Sequence, residues 1–171
     1  MKLTEAVILV GHGAVASDIP KSLVSEFKML EAQRRARGLT EMSPREAELD
    51  KRLREWPRTR ETDPYKWGLE SLAERLKTRL KGRRLVVAYN EFCAPSVEEA
   101  IARLIREGIG RITLVPTMFT PGGVHSEVEI PQIVQTMRRR YPGLVLEYAW
   151  PFDLEEVADF LSEHLDRTIN R

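Results

Sequence analysis

Cysteine is almost missing from this chain: Cys93 is the only one among 171 residues. A single thiol closes no internal disulfide, which fits a reducing compartment, the cytoplasm. It also removes every zinc or iron–sulfur site that needs several thiolates. Long apolar runs are missing too. No stretch approaches the ~18 residues that a membrane-spanning helix requires. The short run in "MKLTEAVILVGHG" has no small-residue cleavage site behind it and reads as a first strand, not a targeting signal. Neither sign of charge dominates. With 27 basic and 26 acidic side chains the formal net charge is +1, so nothing calls for nucleic acid or an anionic membrane as partner. Internal repeats, a Walker loop, GxGxxG and the GxSxG elbow are all absent, so neither nucleotide binding nor serine hydrolysis has a motif.

What is present is an ordinary globular balance, 42% hydrophobic and 31% charged, in a length that suits one domain over 1–171. Four β-rich runs stand out: "AVILV" (6–10), "RLVVAY" (84–89), "RITLVP" (111–116) and "LVLEYA" (144–149). The first three are nearly continuous apolar runs, as in strands covered on both faces. Helical patterns separate them. Leu69, Leu72, Ala73, Leu76 and Leu80 share one spacing, and Val97, Ala100, Ile101, Leu104 and Ile105 another, with Ser96 and Glu99 as a capping box and Gly108 as a stop. A helix is expected over about 129–140, and a last one whose inner stripe is Leu154, Val157, Ala158, Leu161 and Leu165. This alternation predicts an α/β fold: an open, four-stranded, mainly parallel sheet with helices on both faces.

Residues 15–65 break the alternation. The segment is charged and strand-free, with helices predicted around Leu23, Val24, Phe27 and Leu30 and over "SPREAELDKRLREW", capped by Ser43. It reads as a helical insertion after the first strand. Its arginines (Arg34, Arg35, Arg37, Arg52, Arg54, Arg58, Arg60) alternate with acids and read as a solvated face in preference to an anion site.

Ligands of open parallel sheets bind at the carboxyl ends of the strands. The first strand is followed by Gly11-His12-Gly13, the second by Asn90-Glu91, and the third by "TMFTPGGVHSEVEIP" with His125. Two imidazoles and a carboxylate therefore project from one edge, a donor set that suits Co²⁺, Ni²⁺, Fe²⁺ or Zn²⁺. Gly11, Gly13, Gly122 and Gly123 remove bulk around the histidines, so either a large ligand approaches the backbone or the chain turns tightly there. His164 reads as solvent-facing and Cys93 as packed.

At these residues the sequence resembles the class II tetrapyrrole chelatases, in particular the small sirohydrochlorin chelatase group. "ILVGHGA" (8–14) is similar to that family's first-strand signature. The stretch 88–119 matches its segment in which an aromatic-x-Glu precedes Pro-Ser. "GGVHSEVEIP" (122–131) is similar to its "GGVHxxxDIP" loop, with Glu129 in place of the aspartate. Two departures are plain: the insertion after GHG, with Ala14 where serine is usual, and "AWPFDLEEV" where the family has Pro-Leu-Gly-x-His-Pro.

The resemblance implies insertion of a divalent metal, Co²⁺ first and Ni²⁺ or Fe²⁺ otherwise, into sirohydrochlorin or a related tetrapyrrole, without a nucleotide. It implies metal handling by His12, Glu91 and His125, glycines Gly11, Gly13, Gly122 and Gly123 against the macrocycle, and a homodimer. The competing reading is a non-catalytic metal or tetrapyrrole carrier, or a regulatory homologue. Convergence of the three side chains within about 5 Å discriminates them.

Overall fold

A computed structural model describes residues 4–169. Strands β1 (Glu5–Gly11), β2 (Arg84–Tyr89), β3 (Arg111–Pro116) and β4 (Val145–Tyr148) form one parallel sheet in the order β2-β1-β3-β4. The α/β fold expected from the alternation is what the chain adopts. The helices are α1 (Lys21–Ala36), α2 (Pro44–Arg54), α3 (Pro64–Lys77), α4 (Val97–Arg106), α5 (Ile130–Arg140) and α6 (Leu154–Ile169). The chain leaves β1 toward β2 on one side and reaches β3 on the other, so its switch point lies at the carboxyl ends of β1 and β3.

The unbroken apolar run of β1 is explained by its two partners. Alternate side chains leave a strand on opposite faces. Ala6, Ile8 and Val10 pack with Ile101 and Leu104 of α4 and Val134 of α5. Leu9 packs on the other face with Leu69 and Ala73 of α3, Tyr89 and Cys93. Ile8, Ile101, Leu104 and Leu114 are wholly buried, each contributing roughly 1.5–3 kcal/mol of transfer free energy. The cap of α4 is reciprocal: the Glu99 N–H donates to Ser96 Oγ (3.2 Å) and the Ser96 N–H donates to Glu99 Oε2 (2.7 Å).

Helices α1 and α2 form a hairpin with its own small core of Ala16, Ile19, Phe27, Leu49 and Leu53 around Phe92. The Ser17 N–H donates to the Thr62 carbonyl (2.8 Å), closing the two ends of the segment. The reading of its arginines as a solvated face holds for Arg37, Arg52 and Arg60, which are exposed. It fails for three others. Arg34 pairs with the buried Glu46 (2.8 Å). Arg54 donates to the carbonyls of Asn90 (2.9 Å) and Cys93 (3.1 Å). Arg58 is almost wholly buried and donates to Asp63 and to the carbonyls of Ala14, Leu53 and Phe92. For Arg54 and Arg58 the cause is the turn after β2, whose carbonyls lack a ladder partner there and take the fork of donors a guanidinium offers.

Two further expectations are corrected. The stripe Leu154, Leu161 and Leu165 lies on α6 as the spacing requires, yet these side chains are 53%, 52% and 56% exposed, and no residue of α6 is buried. Periodicity shows that a helix is amphipathic; it does not show what covers the apolar side. In α3, Leu69 and Ala73 are buried, but Leu72 is exposed and Leu80 falls beyond the helix.

Because Asp63 is wholly buried beside Arg58, Arg58→Ala strands a charge. The expected loss is about 3–5 kcal/mol of stability, read as a lower urea midpoint.

Candidate metal centre

The site is built first by backbone. Gly11 pairs with Tyr89 in the parallel register, and the ladder continues beyond both strands. The Asn90 N–H donates to Gly11 O (2.9 Å) and the Glu91 N–H donates to His12 O (2.8 Å). His12 and Glu91 are thus neighbours by strand pairing. Phe92 then takes φ +58°, a left-handed conformation unusual for a bulky residue. Its ring is held in place by Phe27, 6.1 Å away, and lies 6.5 Å from that of His12.

His125 arrives from the far side. Residues His125–Glu129 form a single π-helical turn leading directly into α5, where the sequence suggested loop up to about residue 129. Such turns occur mostly as bulges inside helices and often at functional sites. Tyr148 of β4 steadies this one by donating to the Ser126 carbonyl (3.1 Å).

The three predicted residues converge. Glu91 Oε2 is 4.0 Å from His12 Nε2, and Glu91 Oε1 is 3.9 Å from His125 Nδ1. One donor atom from each of the three lies within 4.8 Å of the others. The imidazoles meet edge to face, centroids 4.6 Å apart. Their neighbours fix the tautomers. His12 Nδ1 is 2.7 Å from the Gly13 carbonyl, which only accepts, so Nδ1 carries the proton and Nε2 keeps its lone pair. His125 Nδ1 is 2.7 Å from Glu129 Oε2 and 2.9 Å from Asn90 Nδ2; a proton on Nδ1 donated to Glu129 leaves Nε2 with its lone pair. Carboxylate or carbonyl partners of this kind orient metal-binding histidines.

Glu129 has three donors: His125, Asn90 Nδ2 (2.7 Å) and Arg35 Nη2 (2.6 Å). Burial alone would raise its affinity for a proton. The hydrogen bonds from His125 and Asn90, with the charge of Arg35 and that of His125 when it is protonated, outweigh that and hold it below the usual carboxylate range. Glu91 goes the other way. Burial pushes it up, Glu31 and Glu129 add to the rise, and His125 and His12 oppose it. Two nearby carboxylates are thereby driven apart, one kept ionised and one readier to take a proton.

The glycines beside His12 serve the protein's own packing. A Cβ on Gly11 would lie 2.3 Å from Leu69 Cδ2, and one on Gly13 1.9 Å from the Glu91 carbonyl oxygen. The need for glycine at both positions is thus met by the packing of the turn, the second of the two explanations the sequence allowed. Gly122, with φ +90°, faces no such neighbour, and Gly123 meets only Ser126 Oγ at 3.3 Å. His164 is exposed and Cys93 is buried, as expected. A cavity of about 510 Å³ at the β2 edge, lined by Trp67, Glu70, Lys77, Leu85 and Arg103, includes none of the three converging residues.

Sequence reasoning did not name Glu31, gave Asn90 no role beyond its place after the second strand, read Arg35 as part of a solvated face although its guanidinium pairs with Glu129, and did not see what Glu129 does. Glu129 had a signal, since it stands four residues from His125 on the same helical face. Arg35 lies 94 residues from Glu129 along the chain and had none.

A family model for CbiX matches residues 61–168. The chain belongs to the CbiX family. Glu91 and His125 fall inside the matched stretch and His12 before it. The chain is 30% identical over 96 residues to a sirohydrochlorin ferrochelatase of Priestia megaterium, covering 56% of this chain and 36% of that protein. It is 30% identical over 66 residues to a sirohydrochlorin cobaltochelatase of Methanopyrus kandleri, covering 39% and 46%. It thus spans less than half the length of the curated relatives it matches. These matches bear out the resemblance to sirohydrochlorin chelatases read from the motifs.

The CbiX fold is also seen in solved structures. A CbiX protein from Marinobacter aquaeolei VT8 superposes with a TM-score of 0.54 at 18% identity, covering 96% of this chain and 97% of that one. Cobalt-bound SirB, a sirohydrochlorin chelatase of Bacillus subtilis subspecies spizizenii, gives 0.54 at 16% identity, covering 96% and 51%. At these identities the likeness is one of fold.

Gly13, with φ +92° and no room for a Cβ, makes a direct test of how the turn is packed. Gly13→Ala is expected to cost more than about 1 kcal/mol, seen as a lowered thermal midpoint.

Proposed function

We propose that this chain inserts a divalent metal ion into sirohydrochlorin or a closely related tetrapyrrole, with Co²⁺ as the first candidate substrate and Ni²⁺ and Fe²⁺ next. The observation that carries the reading is the convergence of His12, Glu91 and His125 within 4.8 Å. Two neutral imidazoles and one carboxylate suit all three ions, and three protein ligands leave a position for the ring nitrogens. In the reaction one M²⁺ enters and two pyrrole N–H protons leave. The imidazoles of His12 and His125 hold the arriving ion. Glu91, with its raised proton affinity, accepts one of these protons as the ring nitrogens take over the metal, and the other leaves to solvent water. Stability of the metallated ring drives the step, so no nucleotide is needed. A homodimer belongs to this reading, and the bare stripe of α6 is the apolar surface it would bury.

The test is anaerobic absorbance of sirohydrochlorin with Co²⁺, Ni²⁺ or Fe²⁺. Wild type is expected to accelerate the spectral conversion and rank the metals. His125→Ala is expected to return it to the spontaneous rate, and Glu91→Gln to slow it by about 10²-fold. Binding of the pigment without acceleration would instead establish the carrier. Neither binding nor conversion would remove this substrate.

Protons compete with metal for Glu91, whose carboxyl is raised, chiefly by burial, and so neutralises sooner than usual on acidification. Co²⁺ affinity, measured by calorimetry, is expected to fall on acidification, and to fall less in Glu91→Gln, which has no carboxylate there to protonate.

A further inference from the structure

Arg35 stands near the end of α1, in the segment before the family match, yet its guanidinium reaches the cleft. Nη2 lies 2.7 Å from Glu31 Oε1, 2.6 Å from Glu129 Oε1 and 3.8 Å from Glu91 Oε1. Among the described residues, the ion pairs that these three carboxylates make with a permanent cation all run to this one group.

The charges decide what it does. With both imidazoles neutral, three carboxylates and one guanidinium sum to −2, the charge that offsets one divalent ion. Without Arg35 the sum is −3. A more negative cluster binds M²⁺ more tightly and releases it more slowly, which helps a storage site and harms a donor. Arg35 is also placed to act on two members at once. It pairs with Glu129, which orients His125, and it lies beside Glu91, a proposed ligand.

We propose that Arg35 is a positioning residue that sets the metal affinity of the centre, holding Glu31 and Glu129 and offsetting Glu91 so that a bound ion stays transferable. The inference rests on the metal-centre reading above. It assigns the α1–α2 segment a part in the chemistry, through one guanidinium.

Calorimetric titration of the purified full-length chain with cobalt chloride tests it. Arg35→Gln is expected to bind Co²⁺ about tenfold more tightly than wild type, and Arg35→Lys within roughly twofold of it. Glu31→Gln is expected to bind about tenfold more weakly, and the double variant Arg35→Gln/Glu31→Gln to return to within roughly threefold of wild type. In single turnover, Arg35→Gln hands its ion to sirohydrochlorin more slowly. A merely structural role would leave affinity unchanged or reduce it. Wild-type binding with no tightening in a folded Arg35→Gln overturns this inference alone. Should that variant fail to fold, undiminished binding by Glu31→Gln overturns it equally. No Co²⁺ binding by wild type overturns the metal-centre reading and this inference with it.

Discussion

The cleft depends on how the turn after β2 is held. Between Tyr89 and Cys93 the chain leaves the sheet, passes through a left-handed Phe92 and turns toward α4, so its carbonyls lose their strand partners. A buried carbonyl left alone costs roughly 1–3 kcal/mol. Arg54 takes those of Asn90 and Cys93, Arg58 takes that of Phe92, and the Cys93 N–H takes that of Glu91 at 2.6 Å. Two guanidiniums from the α1–α2 region thus fix the loop that presents Glu91. The hairpin after β1 is consequently part of the frame and not an appendage to it.

The same economy of contacts runs through the rest of the site. Parallel pairing puts His12 beside Glu91 with two backbone hydrogen bonds, and a π-turn puts His125 and Glu129 in register with each other. Every imidazole has one nitrogen committed to an oxygen of the protein, so the other is free and its identity is set before any ligand arrives. The acidic groups are graded: Glu129 is saturated by donors, while Glu91 is burdened by burial and by its acidic neighbours. A site arranged this way separates the work of orienting an imidazole from that of taking up a proton.

Much of this was legible in the residues. The strand positions followed from apolar runs, and β2 and β3 fall where the runs begin and end, because buried parallel strands leave an unbroken hydrophobic signature. The caps at Ser43 and Ser96 were legible because their chemistry is local. His12, Glu91 and His125 could be paired because each follows a strand whose end the fold must bring to one edge. What escaped depends on long-range partners. Nothing near Arg54 or Arg58 shows that they turn inward, since the carbonyls they serve lie 34 to 39 residues on. The bare face of α6 escaped for the opposite reason: a periodic stripe looks the same with or without a cover. The glycines around His12 allowed two readings, room for a ligand or a tight turn, and only the fold shows that Leu69 and the Glu91 carbonyl leave no space for a Cβ there.

The burial of Cys93 carries a consequence for how ions travel. Its side chain is 1% exposed, and burial pushes the thiol above its ordinary range, so the chain presents no thiolate to its surroundings. Sulfur bound to a soft or borderline ion is slow to let go and readily oxidised. At the cleft itself the converging groups are the imidazoles of His12 and His125 and the carboxylate of Glu91, nitrogen and oxygen donors that exchange quickly.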